Sequence, residues 1–170
     1  MRFVDFLKAT VLLSGGGATA LAILTVVSGT NDQDEQVVLY MAGWWLAATL
    51  IGSFIGRRRN GPSPQIADLL ADSRTATMFP EIHPAAVLLN RLWPLVLAVL
   101  LSAALSFLAP QIPGIATGFA IIWALAWRHQ DKAVTAIEER DGVVFFIEKT
   151  AFYKPMKLER MPGFKREVPT

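Results

Sequence analysis

The sequence predicts an all-α integral membrane protein: four transmembrane helices arranged as two helical hairpins, a cytoplasmic amphipathic helix and a small C-terminal β-hairpin. Three observations lead there. Of the 170 residues, 53% are hydrophobic, and they gather into uncharged runs long enough to cross a ~30 Å hydrocarbon core at ~1.5 Å per residue. All sixteen Lys and Arg residues lie outside those runs, in alternate connections: two before the first run, five between the second and third, nine after the last. The two remaining connections carry no basic residue and three acids, Asp32, Asp34 and Glu35. By the positive-inside rule this places both termini and the 57–91 connection in the cytoplasm, as in a multi-pass protein of the plasma (inner) membrane.

The membrane part is expected over residues 1–128. Its first span, about 9–30, is preceded by a short lead with Arg2 and Lys8. A cleaved signal peptide is the rival reading, with Ala18-Thr19-Ala20 as its small-residue site. Against it, Gly15-Gly16-Gly17 breaks the apolar centre and strongly apolar sequence continues past the site. The second span, 37–56, opens with Tyr40, Trp44 and Trp45 near a membrane–water boundary and closes on Arg57, Arg58 and Arg59, a topology anchor able to attract lipid head groups.

In the long connection, Asn60-Gly61-Pro62 is turn chemistry, and Ser63-Pro64 reads as an N-cap and first helical position. An amphipathic helix is expected over 63–77, its Ile66, Leu69 and Leu70 turned to the bilayer or the bundle. Arg91 stands before the third span as an interfacial arginine that snorkels or binds a lipid phosphate. Residues 92–127 are uncharged, too long a run for one crossing, and the turn at 110–114 divides it into spans of about 92–109 and 113–128. Pro94 then falls in a first turn, where it is tolerated, and Trp123, Trp127 and Arg128 mark the inner boundary.

The cytoplasmic part, 129–170, begins as a helical extension ending at Asp141-Gly142. A hairpin follows, with Ile147 opposite Leu158. Its Val143, Val144, Phe145, Phe146, Ile147 and Leu158 put apolar side chains on both faces. An isolated hairpin is marginal in water, so this one is expected to be an assembly element covered by another surface, and a basic tail follows it.

Small residues recur every fourth position: Ala48, Gly52 and Gly56; Ala98, Ser102 and Ser106; Gly114 and Gly118; and Ser14, Ala18 and Ala22. Such stripes let helices approach closely, within one chain or between copies. No ionisable residue falls near the middle of a span, which argues against proton- or ion-coupled transport. The chain has no cysteine, so thiolate catalysis and disulfides are excluded. Its two histidines, His83 and His129, have ordinary neighbours, and Asp68 with Asp72 lacks further acidic partners. No catalytic residue, cofactor or metal is therefore assigned. Nine basic residues from Arg128 onward are interleaved with acids, unlike a nucleic-acid surface.

The expected partners are membrane lipids, together with a second copy or a membrane-complex protein. The expected function is a structural or assembly subunit. Two alternatives stand beside it: an oligomeric channel or small-solute carrier component lined by Thr49, Ser53, Ser102, Ser106 and Thr117, and an interfacial lipid-modifying enzyme using His83, Glu81 and Asp68 or Asp72.

Overall fold

The computed structural model describes residues 1–31, 35–57, 61–76, 83–109, 111–148, 150 and 154–163. In chain order these form α1 (Phe3–Asn31), α2 (Glu35–Ile55), α3 (Pro64–Ala71), β1 (Arg74–Thr75), α4 (Pro84–Ala104) with a closing 3₁₀ turn (Leu105–Phe107), α5 (Gln111–Trp127), α6 (Gln130–Asp141), β2 (Val143–Ile147) and β3 (Leu158–Pro162). They divide into two units. Residues 9–57 and 92–128 make a helical bundle, whereas 1–8, 58–91 and 129–170 make a unit built round a sheet.

The chain is mostly helical, and among the described residues three stretches are long and apolar enough to cross a membrane: Phe3–Gly29, Gln36–Ile55 and Pro84–Phe107. The expected fourth span corresponds to α5, which has 17 residues and is shorter than the other three. In the bundle the large apolar side chains point outward, with Phe107 93% and Phe54 80% exposed. On α1 the small and hydroxylated Thr10, Ser14, Ala18 and Thr25, together with Leu21, form a buried stripe, the spacing of one helix face. This suits a bundle whose outer solvent is hydrocarbon.

The closest-packed helices are α2 and α5, one from each of the two expected hairpins. They run parallel. Trp44 and Trp45 near the start of α2 donate their indole N–H groups to the Ile115 and Gly114 carbonyls at 3.2 and 2.8 Å. Toward the other end, Gly52 faces Ile122 and Leu125.

In the sheet unit the strand order is β1-β3-β2, with β3 parallel to β1 and antiparallel to β2. The expected hairpin register holds, Ile147 opposite Leu158, but the hairpin is two strands of a three-stranded sheet. Met1–Arg2 adds to the other edge of β2: Arg2 bridges Phe146, and the Ile147 N–H donates to the Met1 carbonyl at 3.2 Å. Gly142 caps α6 in the left-handed conformation (φ 63°), which lets the chain turn at once into β2.

Several boundaries move from those expected. The first helix starts at Phe3, and its Phe3, Val4, Phe6 and Leu7 are buried. Cleavage after Ala20 would strip these residues from the sheet unit and cut a continuous helix. The amphipathic helix ends at Ala71, where Asp72 caps it, and the chain then becomes β1. Pro94 lies well inside α4, because that helix begins at Pro84.

Candidate functional site

The sheet unit contains an open cavity of about 270 Å³ between α3, β1 and the start of β3. Its apolar wall is Leu69, Met156 and Leu158; its rim carries Asp68 and Asp72, one turn apart on α3, facing Arg74 and Lys157. All four charged side chains are exposed. Charges of both signs on a water-accessible rim give a solvated surface, and among the described residues no group of three or more His, Asp and Glu side chains is placed to hold a metal ion.

The most tightly specified polar group of this unit is Glu138, which the sequence reading passed over. Its carboxylate is 5% exposed. It accepts the Phe145 backbone N–H at 2.9 Å and a guanidinium N–H of Arg2 at 2.8 Å. One side chain thus joins the N-terminal segment, α6 and β2. The available signal was spacing: Gln130, Val134 and Glu138 are all buried on one face of α6. Gln130 accepts the Ser63 N–H at 2.9 Å, holding the turn before α3. By contrast Arg140 and Asp141 form an exposed pair at 2.7 Å. Hydrogen bonding to Arg140 holds the Asp141 carboxyl below its ordinary value, a surface pair of little energetic weight.

The expected lipid-facing Arg91 is occupied within the chain. Its guanidinium donates to the Lys154 carbonyl at 2.7 Å, to the Thr150 hydroxyl and to the Pro155 carbonyl at 3.5 Å, while Asn90 donates to the Thr150 carbonyl at 3.0 Å. The pair clamps the connection between β2 and β3. Arg57 is exposed, and Arg58 and Arg59 lie outside the described residues.

The assembly hairpin is largely covered by its own chain. Phe145, Ile147 and Leu158 are buried, and Val143, Val144 and Phe146 are half-buried. Ile66 of α3 and Val134 of α6 are buried in the same unit, so the amphipathic helix spends its apolar face on the sheet unit.

Two of the small-residue stripes meet inside the chain. Ala48, Gly52 and Gly56 are buried, as are Gly114 and Gly118. A Cβ on Gly52 would stand 2.9 Å from Leu125 Cβ and 3.0 Å from Ile122 Cα; one on Gly56 would overlap the Leu125 carbonyl, and one on Gly118 the Trp44 indole. On α4, Ala98 is exposed, Ser102 half-buried and Ser106 buried in the 3₁₀ turn.

Three of the five hydroxyls named for a solute path bond locally. Thr49 donates to the Trp45 carbonyl, Ser106 to Ala103 and Thr117 to Pro113, at 2.7–2.8 Å. Of the residues named for an enzyme, His83 stands exposed before α4 and Asp68 and Asp72 line the cavity, whereas Glu81 lies outside the described residues. His129 is exposed at the start of α6. Comparison with protein-family models, known proteins and solved structures finds no match to the chain.

Proposed function

We propose that the chain is a four-span protein of the plasma (inner) membrane, both termini cytoplasmic, that serves as a structural or assembly subunit. Its bundle holds a folded sheet unit at the membrane for self-association or for a larger membrane complex. The observation that carries the topology is the origin of the sheet's edges. Arg2 precedes the first span, β1 lies between the second and third, and β2 and β3 follow α5. Segments hydrogen-bonded in one sheet share one side of a bilayer, because every backbone group inside hydrocarbon needs its partner within a helix or closed barrel. The number of crossings between Arg2 and Arg74, and again between Thr75 and Val143, is therefore even.

With α1, α2 and α4 crossing, α5 crosses too, and its parallel course beside α2 supports this. Seventeen residues give about 25 Å at ~1.5 Å per residue, a shortfall met by local thinning and a snorkelling Arg128. The charge bias makes the shared side cytoplasmic. The subunit reading is supported by Thr49, Ser106 and Thr117, whose hydroxyls donate to carbonyls three or four residues back on their own segment instead of toward a common path.

The chain has no cysteine, which makes accessibility scanning direct. Asp34→Cys is expected to label only from outside and Ser63→Cys only from inside; outside labelling at both sinks the four-span arrangement. Cross-linking in native membranes followed by mass measurement in mild detergent tests the subunit role. A monomer with no co-purifying protein overturns it.

A further inference from the structure

The parallel packing of α2 on α5 brings two guanidinium groups to one end of the bundle. The closest approach lies at Gly56, against the Leu125 carbonyl. Arg57 is the next residue on one helix, and Arg128 follows three residues after Leu125 on the other, about 4.5 Å further along at ~1.5 Å per residue. Both side chains are exposed, and among the described residues neither makes an ion pair or a side-chain hydrogen bond. The acid nearest to Arg128 in sequence, Asp131, makes no ion pair with it among the described residues. In the sequence of the bundle the only acids are Asp32, Asp34 and Glu35, ahead of or at the first residue of α2. On α5, one turn below Arg128, Trp123 stacks on Trp127 with ring centroids 5.7 Å apart. Two exposed cations at the ends of α2 and α5, with an indole pair on α5 beside Arg128 in sequence, match a lipid with an anionic head group: phosphate at the arginines, glycerol and upper acyl chain along the indoles.

We infer that Arg57 and Arg128 form a shared site for one anionic phospholipid, with Trp123 and Trp127 as its apolar wall. This rests on the four-span reading, which puts that end of the bundle at the inner leaflet. A purely structural role is available to the same residues, because any cation near a helix C-terminus is favourable to the helix dipole. The two roles differ in what they require. The dipole is served by lysine as well as by arginine, whereas one phosphate held by two guanidinium forks is not.

The test is native mass spectrometry of the full chain in mild detergent with phosphatidylglycerol, phosphatidylcholine or soluble glycerol phosphate added. Phosphatidylglycerol is expected to be retained several-fold better than either alternative. Arg57→Gln and Arg128→Gln should each remove most of that preference, and the double variant no more than the stronger single, since one head group is lost. Arg57→Lys and Arg128→Lys should keep the thermal stability while weakening the preference. Arg140→Gln, which alters an exposed cation elsewhere, should change nothing. Equal retention of the two lipids, equal binding of glycerol phosphate, an unchanged preference in both glutamine variants, or the same loss in Arg140→Gln each overturns the proposal. Labelling of Ser63→Cys in the same variants keeps the two readings apart. Inside-only labelling with no lipid preference fails the lipid site alone; outside labelling fails the topology beneath it.

Discussion

The bundle and the sheet unit bury opposite kinds of residue, although the same chain supplies both. In the bundle, Ser14, Ala18, Thr25, Ala48, Gly52, Gly114 and Thr117 face inward while Phe54 and Phe107 stand out. In the sheet unit, Phe3, Leu7, Ile66, Val134, Phe145, Ile147 and Leu158 face inward while Asp68, Arg74, Lys132 and Lys157 stand out. The first pattern gains by shape, since lipid tails are as apolar as leucine and only close contact favours protein over lipid. The second gains by removing apolar surface from water, at about 25 cal/mol per Å². Burial here identifies the surrounding solvent before it identifies a site.

The contrast predicts how each unit breaks. The largest effect is expected from Gly56→Leu, because the new side chain meets backbone that cannot swing aside. Its cost should reach or exceed the ~1–3 kcal/mol typical of overpacking, read as a lower melting temperature in detergent. Leu50→Ala on the exposed face of the same helix should stay within ~0.5 kcal/mol. If both cost the same, α2 does not depend on close approach.

Glu138→Ala comes next, at ~1–3 kcal/mol, the range for a buried donor left without its acceptor. Hydrogen exchange should show faster exchange at Phe145 and across β2, with the bundle amides unchanged. Glu138→Gln should recover part of this, because it keeps an acceptor for Phe145 while losing the charge partner of Arg2. Loss of protection in α2 and α5 as well would show that the two units do not fail separately.

Arg91→Ala should be smaller, ~1–2 kcal/mol for hydrogen bonds made by a charged group. Its mark is local: faster proteolysis in the 150–155 connection with an unchanged bundle. The smallest effect, under ~1 kcal/mol, is expected from Thr117→Val, whose hydroxyl bonds only its own helix. A change in solute flux from Thr117→Val would revive the path reading.

Much of the architecture was legible because hydrophobic runs and charge distribution report directly on solvent. The register of β2 on β3 was legible for the same reason, through alternation set by the turn. Other features needed information from far along the chain. A two-residue strand such as Arg74–Thr75 has no periodicity to read, so the helix was extended through it. A stripe such as Ala48–Gly52–Gly56 says that one face packs but not on what, and the partner proved to be α5. Arg91 looked like a lipid-facing cation because its acceptors, Thr150, Lys154 and Pro155, lie about sixty residues away. The sequence contained no convergent chemistry to assign, and the cavity at Asp68 and Asp72 depends on β1, the element that was missed.

The central position of β3 has a consequence for how the protein is made. Arg74 leaves the ribosome long before Glu159, its partner in the ladder, and everything translated between them includes α4 and α5. Until the chain has been made through β3, β1 has no neighbour in the ladder and Ile66 no finished core. On the proposed four-span topology, a nascent chain that threads one helix too few would strand β2 and β3 across the bilayer from β1, leaving apolar segments open to proteases and chaperones. On the same proposed topology, closure of the sheet would therefore follow completed insertion.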